Sequence, residues 1–511
     1  MSSTSTAGEQ PVLDVLFSGG RLVDPASGTD ALRDVGVLDG TVVHVGTGRS
    51  AARTVVDVSG LVVAPGFIDL HSHAQSPTGL LLQAFDGVTT ALDLESGTLP
   101  VAEQYRAAER EGRPLNFGFS ASWAVARMHV MDGAPLPEAG DGGPMLTALE
   151  VFQRNQHLPG WSGLASDQQV ERMLDLLEEG VHEGALGFGV LLGYSPASGR
   201  DEYFRLARRA QELGVVVSTH ARQMSNVEPG SSLDGALEVI AAAAGTGAAM
   251  HLCHINSTSL RRIDEVSAAV VTAQRAGNRI TTEAYPYTMS STGIGAAFLA
   301  PERLHRMGIT PRDITYLPTG ERVADAADLA RLRSDDPGGL CLIDHQDARD
   351  SRDVEALVRA LTMPGAVIAS DAMPLVRGGR YDVLDEWPVP AGALTHPRSI
   401  GTFARTMRWL VRERGEMSLL EAVRRCSTAP AEIMAPSTPA MRRKGRLDVG
   451  ADADLVVFDP ERISDLAEGT AMTPSTGVVH LYVGGHPVIT DGAAVPGARP
   501  GRAVRSRLSG G

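Results

Sequence analysis

Two histidines one residue apart, His71 and His73, close the apolar run of GFIDLHSHA. In an extended segment, residues two apart point the same way, so the two imidazoles share a face and can share a metal. Three more apolar runs end in a donor, at Thr219-His220, Cys253-His254 and Ser370-Asp371. Neutral imidazoles and carboxylates suit zinc. A single histidine at a strand end is commonly structural. A pair followed by two single histidines and an aspartate, each closing its own run, points instead to a metal centre. His251 has the opposite strand parity to His254, so it is expected to face the outer helices as a structural residue. Cys253, with the same opposite parity and apolar neighbours, is expected to be a buried structural thiol.

The elements that must carry these donors alternate. Strand candidates are APGFIDLH, GVTTALDLE, RPLNFGFSASW, GALGFGVLL, GVVVSTH, GAAMHLCH, RITTEAYPY and GAVIASD. Amphipathic stretches such as SDQQVERMLDLLEEGVHEG, YFRLARRAQELG and SLDGALEVIAAAAG lie between them. This is the α/β pattern of a (β/α)8 TIM-type barrel over 65–435, whose chemistry belongs at the C-terminal strand ends. Residues 288–345 break the rhythm, show little strand character and are expected to form an insertion that acts as a lid. Short Val/Ile-rich runs fill both ends of the chain, so 1–64 and 436–511 are expected to pair into one small β-sandwich domain.

The chain has 511 residues and a formal charge of −15, which disfavours nucleic acid or an anionic membrane surface as a partner. No apolar run approaches the roughly 18 residues that a membrane span needs. Three cysteines are too few for a disulfide framework, and the first residues lack a signal-peptide pattern, so a reducing, cytoplasmic setting is expected. Every basic residue but Lys444 is arginine, so no other side chain can serve as a carbamate-forming or Schiff-base amine.

Taken together, APGFIDLHSH, STHAR, EAYPYT, VIASDAMP, HPRSIGTFAR and GRLDVGADADLVVFD resemble the amidohydrolase superfamily. Within it the chain is most similar to the N-acyl-D-amino-acid deacylases, through YPYT and HPR-x-x-GTF. The segments LDLESGTLPV, NFGFSASWAVAR and CHINSTS look like the N-acyl-D-glutamate deacylase members. The resemblance implies one or two zinc ions per chain, with His71 and His73 on one and His220 and His254 on the other. It implies that Asp371 binds metal, takes a proton from the attacking water and delivers it to the departing amine. The implied substrate is a small N-acyl amino acid, its carboxylate held by Tyr285, Ser291 and Arg398. A lysine that normally joins them is Asn256 here, and Arg222 is the residue expected to compensate. As surface-loop arginines, Arg377 and Arg380 are expected to be solvated; the alternative is that they reach a second carboxylate, such as a glutamate side chain.

In the family a strand-two cysteine or a strand-four carbamylated lysine bridges the metals. Here the strand-two segment reads TTALDLESG, with Ser96 at the cysteine position and Glu95 beside it. Strand parity sets Val88, Leu92 and Leu94 on the helix side and Thr89, Ala91, Asp93 and Glu95 inside. Glu95 is thus the expected bridge and Ser96 the weaker alternative. Two other readings remain at this point: a cyclic-amide hydrolase of hydantoinase or dihydroorotase type, and a catalytically silent scaffold barrel.

Overall fold

The computed structural model describes residues 12–48, 51–138, 148–378, 380–381, 385–467 and 472–509. Its centre is an eight-stranded parallel sheet whose strand order follows the chain. The strands are β1 (Phe67–Asp69), β2 (Val88–Thr98), β3 (Asn116–Ser122), β4 (Gly187–Leu191), β5 (Val216–His220), β6 (Ala249–Leu252), β7 (Ile280–Ala284) and β8 (Ala366–Ile368). All eight expected strands are present. The ring closes just past the ends of β1 and β8, where Ser72 bridges Ala372 in parallel and His73 N donates to Ala372 O at 2.8 Å.

Alternation along each strand divides the barrel into an inside and an outside. Phe117 and Phe119 of β3 point out and pack on Tyr105 of the helix Val101–Glu111. Ile68, Leu92, Leu186, Val216 and Val367 form a separate buried cluster inside. Each such side chain contributes about 1.5–3 kcal/mol by leaving water. The helices follow from their patterns. In Asp167–His182, Ser166 and Gln169 form a capping box, and Val170, Met173, Leu174, Leu177 and Val181 bury one stripe.

Both ends of the chain contribute to the remaining β-structure. A seven-stranded sheet joins Arg21–Asp24, Thr29–Leu32 and Val62–Pro65 to four strands from 455–494. A four-stranded sheet of Leu13–Ser18, Asp34–Leu38, Thr41–Gly46 and Ala52–Asp57 packs on it. Their shared core holds Phe17, Val35, Val37, Val63, Leu455, Val457 and Tyr482. Lys444 ties this layer together, 2.6 Å from Asp454 and 3.0 Å from Asp452. Asp454 in turn accepts from Asn116 Nδ2 of β3 at 2.9 Å, linking the sandwich to the barrel.

The segment 288–345 does lie between β7 and β8, but its expected lack of strands is corrected. Met289–Gly293, Leu340–Asp344, Ile314–Tyr316 and Glu321–Arg322 form an antiparallel sheet, in that order. It has its own core of Ile294, Leu299, Leu304, Ile314, Leu329 and Ile343. These strands escaped notice because they are short, and because MSSTG pairs with LCLID only across a long excursion of the chain. Among the described residues, no helix is long and apolar enough to cross a membrane.

Candidate metal centre

The donors meet at the C-terminal mouth of the barrel. His71 Nε2 lies 3.0 Å from His73 Nε2 and 3.4 Å from Asp371 Oδ1. Across the centre, Glu95 Oε1 is 2.8 Å from His254 Nε2 and 3.1 Å from His220 Nδ1. The other oxygen of Glu95 lies 3.2 Å from His71 Nε2, so one carboxylate faces both halves. His71, His73 and Asp371 form one buried triad and Glu95, His220 and His254 another, the donor atoms of each within 4.8 Å of one another. Nitrogen and oxygen donors in two such groups fit a pair of zinc ions.

Buried carboxylates behind the ring orient the histidines. Glu283 of β7 meets His71 Nδ1 at 2.5 Å, and Asp93 meets His73 Nδ1 at 3.0 Å. Each contact occupies Nδ1 and leaves the Nε2 lone pair for the centre. Burial pushes the Glu95 carboxyl up, yet His71 and His254 outweigh it and hold the group well below the usual carboxylate range. Glu283 is also lowered, because His71 and His251 overcome its desolvation. Burial lowers His73, but Asp93 wins and raises it to about 9. Two donors stand on left-handed backbone, His254 at φ 30° and Asp371 at φ 50°. Non-glycine residues adopt this conformation at a cost, and here it marks where the chain leaves β6 and β8.

That turn corrects the parity expectation for His251 and Cys253. β6 ends at Leu252, so His254 lies beyond the strand and cannot set its phase. His251 pairs in register with Ser218 and Thr281 and faces inward. Its Nε2 contacts Glu283 Oε2 at 2.9 Å. Cys253 shares its side and approaches His71.

The parity assignment in β2 is corrected as well. Ala91 and Asp93 pair with the outward Phe117 and Phe119, while Leu92 pairs with Gly118. Leu92 and Leu94 therefore join the inner cluster rather than the helix side. The ladder then slips, Phe119 facing Asp93 and Ala121 facing Thr98, and the extra residues of β2 bring Glu95 to the centre. Ser96 lines the same cavity, but its buried Oγ has no hydrogen-bond partner.

Arg398 is fully buried, with Nη2 2.7 Å from Asp371 Oδ2 and Nε donating to Asp371 O at 2.7 Å. Its guanidinium lies over the Tyr285 ring at 4.6 Å. Arg398 Nη1, Asn256 Nδ2 and Ser291 Oγ are buried without partners, donors that an anion would satisfy. Arg222 does not join them. Its guanidinium is taken by Glu238 at 2.8 and 2.9 Å and by the Pro196 and Ser198 carbonyls. The strand Val376–Arg377 lies in a small sheet away from the cavity lining, and the side chain of Arg380 is outside the described residues.

The cavity between the donors measures about 30 Å³, the scale of bound water or ions. Tyr194, Met224, Phe298 and Ile343 cover it, the last two supplied by the insertion. Phe298 stacks on His220 with centroids 5.8 Å apart. Glu283 has no place in the sequence reading, although it lies in phase with Thr281 in RITTEAY and could have been found by counting from β7 alone, and neither Asp93 nor His251 is given a role at the centre there.

Comparison with known proteins finds similarity over nearly the whole length. The chain is 29% identical over 524 residues to an N-acyl-D-glutamate deacylase of Alcaligenes xylosoxydans xylosoxydans, covering 98% of each. It is 27% identical to a D-aminoacylase of the same organism, over 98% of this chain and 99% of the relative. The crystal structure of N-acyl-D-glutamate deacylase from Bordetella bronchiseptica, complexed with zinc and a phosphonate inhibitor, superposes with a TM-score of 0.76 at 24% identity. That match covers 97% of this chain and 100% of the other. A model of the amidohydrolase family matches residues 54–489, and the chain belongs to that family.

Proposed function

We propose that the protein is a zinc-dependent hydrolase of carbon–nitrogen bonds that cleaves N-acyl-D-amino acids, N-acyl-D-glutamate among them, to a carboxylate and a free D-amino acid. The observation that carries this reading is the buried pair of donor triads at the barrel mouth, one of which contains Asp371 paired with Arg398. Likeness over the full chain to N-acyl-D-glutamate deacylase and D-aminoacylase supports the substrate class.

In this reading His71, His73 and Asp371 would hold one zinc and His220 and His254 the other, with the Glu95 carboxylate within reach of both groups. A bound zinc would supply Lewis-acid polarisation of the acyl carbonyl and acidification of a nearby water. Asp371 accepts the proton of that water and returns it to the leaving amine nitrogen. Arg398 fixes the Asp371 carboxylate through Oδ2, and its free Nη1, with Ser291 and Tyr285, receives the substrate carboxylate. Residues 65–435 form the catalytic unit, the insertion excludes water above the centre, and a reducing cytoplasmic setting belongs to the same proposal. A carbamate bridge of the cyclic-amide hydrolases has no candidate lysine, because Lys444 is held by Asp452 and Asp454 far down the chain.

The test is hydrolysis of N-acetyl-D-glutamate, N-acetyl-D-leucine and their L-forms by zinc-loaded protein. Release of free D-amino acid is expected. Metal-loaded protein that leaves every acyl amino acid intact would overturn the proposal.

A further inference from the structure

The thiol of Cys253 lies at the same centre. Its sulfur, a His71 ring nitrogen and a Glu95 carboxylate oxygen are all within 4.8 Å of one another. All three residues are buried, and the thiol lies beside the His71 ring. A cysteine that merely fills space is surrounded by aliphatic groups. Cys253 instead has its sulfur within 4.8 Å of a His71 ring nitrogen and a Glu95 oxygen. Neither other cysteine is so placed. Cys341 Sγ donates to the Thr292 carbonyl at 3.4 Å, and Cys426 packs in the barrel's hydrophobic core.

We propose that Cys253 is a ligand of the metal centre, giving a soft sulfur donor beside His71 and Glu95. The proposal rests on the zinc reading above. As the sulfur–metal bond forms, the S–H bond breaks and its proton leaves to bulk water, so the ion's charge takes the place of the proton. Thiolate is a strong zinc donor, with a typical bond of about 2.3 Å, and it shifts preference toward softer ions.

Cobalt(II) loading tests this with a readout independent of turnover. The wild-type protein should bind cobalt and show a sulfur-to-cobalt charge-transfer band in the near ultraviolet. Cys253→Ser and Cys253→Ala should lose the band and bind zinc about 10–100-fold more weakly. Cys426→Ser should keep both. A full cobalt complement without the band in the wild type overturns the Cys253 assignment alone, whether or not the variants fold. Persistence of the band in folded Cys253→Ser does the same. Failure to bind either metal overturns the zinc reading together with it.

Discussion

Asp371 divides its carboxylate between two partners: Oδ2 lies 2.7 Å from Arg398 Nη2, while Oδ1 lies 3.4 Å from His71 Nε2. One side chain therefore joins the metal donors to the cation proposed to receive substrate. Asp371→Asn keeps the size and removes the base. Its kcat should fall by about 10³, with KM moving little, since general acid–base catalysis supplies that order of rate. Steady-state kinetics on zinc-loaded protein check this.

Arg398→Lys keeps a charge but loses the fork. KM for an N-acyl-D-amino acid should rise about 10–100-fold, while an acyl amine lacking the carboxylate should be cleaved as before. An equal loss on both substrates would mean that Arg398 acts through Asp371 alone. Arg398→Met should also destabilise the metal-free protein by about 3–5 kcal/mol, because it strands a buried carboxylate.

Glu95 faces both triads, so Glu95→Ala should disturb both metals where loss of one histidine disturbs one. Elemental analysis should find the variant with less zinc per chain than His220→Ala or His73→Ala. Chelation of the wild type should abolish hydrolysis, and added zinc should restore it.

His345 offers a pH test away from the donors' own titration. Burial, helped by the Arg398 guanidinium, holds its imidazole down to about 4 from an ordinary 6.5. Between those values the unfolded chain takes a proton that the folded chain refuses. Stability should thus fall as pH drops through this window, by about 3 kcal/mol in all. Urea unfolding of metal-free protein at pH 7 and pH 4 measures the loss. His345→Gln should lose less than the wild type by about that amount.

The positions of His71, His73, His220, His254 and Asp371 were legible because each closes an apolar run, and strand ends gather at one face of a barrel. Glu95 was reached by a count that fails in detail, since it is the slip in the β2 ladder rather than simple alternation that carries it inward. Cys253 and His251 were misread for a related reason. Counting parity from His254 assumes an extended chain, and the left-handed turn at His254 breaks it. Arg222 could not be placed from sequence, because its partner Glu238 comes from the following helix, Ser232–Thr246. Local pattern gives strand phase only while the backbone stays regular, and sites favour the places where it does not.

The solitary Lys444 has an outcome unrelated to catalysis. It is 8% exposed and engaged by two aspartates, so the folded chain presents no accessible lysine amine. Lysine acetylation, ubiquitin attachment to lysine and lysine-directed coupling labels all require such a group. Immobilisation or tagging of the folded protein through a lysine side chain is therefore closed, and lysine-directed turnover has no foothold until the sandwich opens.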